Sequence, residues 1–250
     1  DDMRIARSVA LLAAVLAAAC QQKKEEAAAP AAAPAAAVGD RILLGHVGSM
    51  TGSEATFGDS TDKGIRLALE AANAKGGVKG KPLDLKTYDS QGKPEEAAVA
   101  ATRLIVNDKV TVLLGEVASS RSLAMAPIAD ANKTPMITPS STNPRVTKDQ
   151  GKVRPYVFRV CFIDPFQGKV AATFAYKNLN ARKAFLMLDQ ANDYVKGLSE
   201  AFEASFKALG GKIVGKETYT SKDTDFSAIL AKVAAVKPVV VYKGGGGEAG

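Results

Sequence analysis

From residue 41 onward, apolar runs of strand length alternate with segments of helical period, and this rhythm restricts the fold more than any other feature of the chain. RILLGHV (41–47), LDLKTY (83–88), VTVLL (110–114) and PMIT (135–138) read as strands. Between them lie helical stretches at 60–75, 94–105 and 119–132. The first carries Ile65, Leu67, Ala68, Leu69 and Ala72 and stops at Gly76-Gly77, and the second opens on Pro94 at a first-turn position. Strands separated by helices pair in parallel, because a parallel connection needs a crossover of a dozen or more residues. A long strand-like run at 153–162, with Pro155 near its start, leads into a second series: helix 166–179, strand 184–188, helix 194–209, strand 212–218, helix 226–236 and strand 239–242. The expectation is an α/β protein of two lobes, 41–162 and 163–250, each a parallel sheet flanked by helices, with a cleft between them. The second lobe reads as incomplete, since it stops on a strand with nothing to cover it. A length of 250 residues and 46% hydrophobic content suit one large or two medium α/β domains.

Parallel sheets bind ligands beyond the C-terminal ends of their strands. Two neighbouring strand ends here run straight into hydroxyl residues, in TVLLGEVASSRS (111–122) and PMITPSSTNP (135–144). A strand that empties onto a helix N-terminus offers unpaired N–H groups and the positive end of the helix dipole to an anion. Side by side, the two ends present Ser119, Ser120, Ser140, Ser141 and Thr142 to one small ligand. Each segment alone also admits a plainer account, with Ser119 as an N-cap and SSTNP as a turn.

The front of the chain reads as an export signal followed by a tether. In residues 1–20, Arg4 and Arg7 precede an apolar stretch that ends on Ala17-Ala18-Ala19 before Cys20, and the stretch is short for a bilayer span. This pattern resembles a bacterial lipoprotein signal, in which Cys20 is lipidated; a plain secretory signal with an incidental cysteine is the alternative. Residues 21–40 contain AAAPAAAPAAA, whose prolines forbid a continuous helix and whose small side chains forbid a core. A membrane-anchored, periplasmic or cell-surface location is therefore expected. The net charge of +7 is interleaved with acidic residues rather than massed, and no Trp occurs, so no nucleic-acid partner is expected.

Catalytic and metal chemistry are poorly supplied. One histidine, His46, sits within an apolar strand and reads as an interior residue, and Cys161, in YVFRVCF, reads as a buried structural thiol. No catalytic residue, metal site or cofactor is assigned. Asp59, Asp89, Asp164, Asp189 and Asp193 lie near expected loops, where aspartate usually caps a helix. The terminal KGGGGEAG fits a dinucleotide-type GxGxxG through Gly245, Gly247 and Gly250, but a glycine run satisfies many spacings and the required helix does not follow it.

Taken in order, GSMTGSEATFGD, EAANAKGGVKGKPLDLKTYDSQGKPEEA, LLGEVASSRS, MITPSSTNP and SKDTDFSAIL resemble the type 1 periplasmic substrate-binding proteins of branched-chain amino acid ABC transporters, the leucine and leucine/isoleucine/valine-binding group. The resemblance implies two lobes that close on an amino acid, a non-enzymatic role, ABC permease subunits as partners and a monomer. It also implies that Ser119 and Thr142 hold the ligand carboxylate and that the Ser140 carbonyl meets its ammonium. Ser141 and Ala118 would line the same wall, Phe57 would cover the ligand side chain, and Tyr194 would approach from the second lobe. Phe57 read as a loop anchor and Tyr194 read as a helix-start residue remain open beside these roles. Cysteines that pair in some members fall here at Gly92 and Ala118, and a tyrosine expected near the end is replaced at about Gly245. The family continues past this end, which makes the chain a fragment by that comparison and leaves the acidic partner of the ligand ammonium outside it. A ligand-sensing ectodomain of a signalling system would use the same jaw.

Overall fold

The computed structural model describes residues 41–244. The expected signal, Cys20, the tether, and Gly245, Gly247 and Gly250 lie outside the described residues. Strand β1 (Ile42–Gly48) opens the first sheet, followed by helix α1 (Ala55–Ala74), β2 (Leu83–Asp89), α2 (Pro94–Thr102), β3 (Val112–Leu114), α3 (Ser119–Ala131), β4 (Met136–Thr138) and, after a small antiparallel hairpin of β5 (Lys148–Asp149) and β6 (Lys152–Val153), β7 (Val157–Arg159). The five longer-range strands form one parallel sheet in the order β2-β1-β3-β4-β7. Its core joins Val47 and Leu113 to Ala97, Ala101 and Leu104 of α2 and its extension and to Met125, Ala126 and Ala129 of α3. The small residues on α2 and α3 let these two helices pack closely together.

A second parallel sheet takes the order β10-β8-β9, from β8 (Lys183–Asp189), β9 (Lys212–Tyr219) and β10 (Val240–Lys243). Helices α4 (Asp164–Thr173), α5 (Asp193–Ala208) and α6 (Ser227–Val236) accompany it. The core of this part is aromatic: Phe202 of α5 stacks on Tyr242 at 4.0 Å and on Phe206 at 5.4 Å between ring centroids. Helix α6 buries none of its residues. Among the described residues, no helix is long and apolar enough to cross a membrane.

Three local features depart from expectation. Residues 153–162 do not form one long strand: Val153 ends the hairpin, Pro155 supplies no ladder donor, and only Val157–Arg159 joins the sheet beside β4. Helix α1 begins at Ala55, ahead of the expected start at 60, because Gly58 lets its first turn lie against the preceding chain; a Cβ there would stand 2.0 Å from the Ser49 carbonyl oxygen. Helices α2 and α4 each run on into a π-helical turn, Arg103–Asn107 and Phe174–Asn178, which hydropathy alone does not distinguish from α-helix.

Candidate binding site

The C-terminal ends of β1, β3 and β4 lie together because those strands are neighbours in register, His46 opposite Leu114 and Leu114 opposite Ile137. Gly115 then makes the turn out of β3 with φ of +94°; a Cβ on it would stand 2.2 Å from the Val47 carbonyl oxygen, so only glycine allows the strands to approach this closely. The following residue, Glu116, is fully buried and gathers the loops. Its Oε1 accepts hydrogen bonds from Ser49 Oγ (2.9 Å) and Ser90 Oγ (2.8 Å), and its Oε2 accepts one from the Ala118 N–H (3.2 Å). Arg121 Nε lies 2.8 Å from Oε2, while its Nη2 pairs with Glu54 and its Nη1 donates to the Gly92 carbonyl at 3.2 Å. One guanidinium thus ties the loops after β1, β2 and β3 to a single helix. Buried carboxylates persist only when so compensated.

Asp89 adds a second tie at the rim. It accepts from the Met50 N–H, the Thr51 hydroxyl and the Gln91 N–H; burial opposes its charge, but these hydrogen bonds outweigh burial and hold its carboxyl below the usual range.

Above this network lies a cavity of about 470 Å³ lined by Glu54, Phe57, Val117, Ala118, Ser119, Pro139, Ser140, Thr142, Cys161, Phe162, Gln167, Asn192 and Tyr194. That volume lies within the range of small-molecule sites. Glu54 is the one charged side chain among these residues, and Arg121 already pairs it. The cavity is therefore walled by hydroxyls, amides and apolar groups. Tyr194 Oη donates to Gln167 Oε1 at 3.1 Å, and burial raises the phenol's pKa, as does the nearby Asp164.

Six of the seven residues expected to contact ligand line this cavity. Ser141 does not: it is fully buried, and its hydroxyl bonds to Ser122 Oγ at 2.7 Å and to the Glu116 carbonyl at 3.0 Å, a carbonyl also reached by Ser122 and by Thr138. Its side chain is consumed in holding the turn. Ser119 is not an N-cap either. Ala118 occupies that position in extended conformation with no side-chain cap, Ser119 is the first helical residue, and its hydroxyl accepts the Asn143 N–H at 3.2 Å. The first turn of α3 thus faces the cavity without a side chain of its own closing it. Ser120 turns away and accepts the Asp193 N–H at 2.9 Å, and Ser140 donates to the Val117 carbonyl at 2.8 Å. Thr142 is 5% exposed and its hydroxyl has no hydrogen-bond partner.

The aspartates expected as helix caps do other work. Asp59 pairs with Lys63, Asp189 accepts the Ala191 N–H, Asp193 opens α5 behind the capping Asn192, and Asp164 opens α4 with neither oxygen hydrogen-bonded. Cys161 is not a buried strand residue but a half-buried member of the cavity wall, its thiol pushed up by burial against the opposing pull of Arg159. His46 is buried as expected, with Nδ1 at 3.0 Å from Asp62 Oδ1; burial lowers its pKa and Asp62 opposes that shift. Glu54, Gln167 and Asn192 also line the cavity, and nothing in their spacing marks them in the sequence as neighbours of Ser119.

The periplasmic binding protein family matches residues 41–250. The chain belongs to that family. It is similar to Leu/Ile/Val-binding protein homolog 3 of Brucella melitensis, 34% identical over 204 residues that make up 82% of this chain and 54% of the relative. Among solved structures, the leucine binding protein LivK of Thermotoga maritima is 44% identical with a TM-score of 0.74, covering 80% of this chain and 55% of that one. LivJ of Streptococcus pneumoniae, solved with isoleucine, is 36% identical with a TM-score of 0.69, covering 78% and 54%. The α/β fold is thus that of the type 1 periplasmic binding proteins, and the relatives are binding proteins rather than enzymes. The chain spans about half the length of the relatives it matches.

Proposed function

We infer that this chain is the extracytoplasmic solute-binding component of an ABC importer, taking a branched-chain amino acid or a related small zwitterion into the cavity between its two sheets. The observation that carries this reading is the pairing of an uncapped α3 N-terminus with the buried, unpartnered hydroxyl of Thr142 on one cavity wall. A carboxylate seated there meets the positive end of the helix dipole, worth about 0.3–1 kcal/mol in exposed sites and up to about 2 kcal/mol in partly buried ones, beside the Thr142 hydroxyl. The Ser140 carbonyl is the acceptor for the ligand ammonium, and the Phe57 ring, half-exposed, covers the apolar side chain. Ala118 closes the wall beside Ser119, and Tyr194 and Gln167 meet the ligand from the second lobe.

Wall residues from both lobes give the ligand a means of favouring a closed arrangement, because only differential contacts shift such an equilibrium. ABC permease subunits that recognise the closed form are the corresponding partners, with the protein a monomer held at the periplasmic membrane face through a lipid on Cys20. Calorimetric titration with leucine, isoleucine, valine, small amides and aromatic acids tests the assignment. Saturable binding of at least one amino acid, lost on Ser119→Ala with Thr142→Val, is the expected result; silence across the panel removes it.

A further inference from the structure

Asp164 is the first residue of α4, is fully buried, and has no hydrogen-bond partner on either carboxylate oxygen. An orphaned buried carboxyl is rare because an isolated ionised carboxylate costs several kcal/mol to desolvate. The surroundings explain why it stays alone. Arg159 on β7 is the nearby cation, but its Nη1 donates to the Ser141 carbonyl (2.5 Å) and its Nη2 to the Asn143 carbonyl (2.9 Å) and Thr147 Oγ1 (3.0 Å). Helix α5 presses its backbone onto the other side, where a Cβ at Gly197 would stand 2.6 Å from Asp164 Oδ2.

The remaining neighbour is Thr142. The Asp164 N–H donates to the Thr142 carbonyl at 3.1 Å, which holds the two residues together, and the Thr142 hydroxyl both faces this carboxyl and lines the cavity. A hydroxyl has one proton to give. If Asp164 is ionised, that proton is drawn to the carboxylate and Thr142 presents only lone pairs to the cavity. If Asp164 carries a proton, it donates to Thr142 Oγ1 and the threonine proton is free to point at a ligand anion. A negative Asp164 behind Thr142 would in addition repel that anion.

We propose that Asp164 is a positioning residue for ligand: protonated, it donates to Thr142 Oγ1 and aims the threonine O–H into the cavity, so that capture of a ligand carboxylate takes up a proton. This rests on the cavity being the solute site. Burial pushes the Asp164 carboxyl up to about 6, with Thr142 and Arg159 pulling it back. The titratable or charged groups facing it are Arg159 from β7, the adjoining Cys161, Tyr194 from α5 and Tyr242 from β10; the last three are pushed upward by burial and so stay neutral through this range. Asp164 is then the group in this cluster that changes charge between pH 5 and 8.

The test is calorimetric titration of the full chain with leucine, or whichever amino acid binds, at pH 5 to 8 in buffers of different ionisation enthalpy. Binding is expected to take up close to one proton per ligand at pH 7, and affinity to fall about tenfold from pH 5 to 7 if the ionised form does not bind. Asp164→Asn keeps a donor on Thr142 at every pH, so its affinity should be flat across the range with no proton uptake, while Thr142→Ser should keep the pH slope. Zero proton uptake by the unaltered protein, or a slope that survives in Asp164→Asn, overturns this role and leaves the solute site standing. If no amino acid binds at any pH, both fall together.

Discussion

Arg121→Met is the perturbation whose cost the structure defines best. The guanidinium is 5% exposed and lies between Glu116, fully buried, and Glu54, 12% exposed, with the Gly92 carbonyl as a further acceptor. Methionine keeps most of the volume and removes the charge. Glu116 retains Ser49, Ser90 and the Ala118 N–H but loses its cation, and breaking a buried pair in this way costs about 3–5 kcal/mol. For a chain of this size 1 kcal/mol moves the melting temperature by about 2–4 °C, so a fall of roughly 6–20 °C is expected. The assay is thermal and urea unfolding followed by circular dichroism. Pairing the change with Glu116→Gln removes the stranded charge and should restore more than half of the loss, because the amide oxygen still accepts from the two serines. A single-variant loss below about 1 kcal/mol, or no recovery in the pair, refutes the view that this ion pair joins the three loops that carry the site.

Other perturbations follow from single contacts. Asp164→Asn should stabilise the protein at pH 7 by up to about 3 kcal/mol and do nothing at pH 4: a carboxyl raised to about 6 when folded loses stability as pH rises from the unfolded value of about 4 to 6, and urea unfolding at both pH values checks this. Gly58→Ala should cost about 1–3 kcal/mol, since its Cβ has no room beside the Ser49 carbonyl, and should weaken ligand binding by displacing the adjacent Phe57. Asn192→Ala removes the side chain that accepts the Tyr194 and Val195 N–H groups at the start of α5 and should cost about 1 kcal/mol by the same unfolding assay.

Much of this architecture is legible in the chain because period and position agree. Val110 to Leu114 and Met136 to Thr138 are apolar runs too short and too punctuated to be helices, and the structure places both at the centre of the first sheet, where Leu113 and Met136 are fully buried. The hydroxyl cluster was legible for the same reason: strands that are neighbours must bring their C-terminal ends together. What each hydroxyl does was not legible. Ser119, Ser140, Ser141 and Thr142 look equivalent in sequence, yet Ser141 is spent on the Glu116 carbonyl and Thr142 alone of the four is left buried with its hydroxyl outside that set of hydrogen bonds, a distinction set by tertiary contacts that spacing does not encode. Arg121 and Glu116 are hidden because a buried ion pair leaves no periodicity, and the break at Pro155 is masked because the residues around it are largely strand-compatible. Asp164 read as a cap, since sequence shows that an aspartate opens a helix and not whether anything donates to it.

The structure of the protein with an amino acid bound is the most direct test of the solute site. A ligand carboxylate within hydrogen-bonding distance of Thr142 Oγ1 and of the first N–H groups of α3, with the side chain beneath Phe57, is what this account requires. A solute bound outside that cavity, or one whose carboxylate points toward Gln167 and Tyr194 while α3 faces only water, would contradict it.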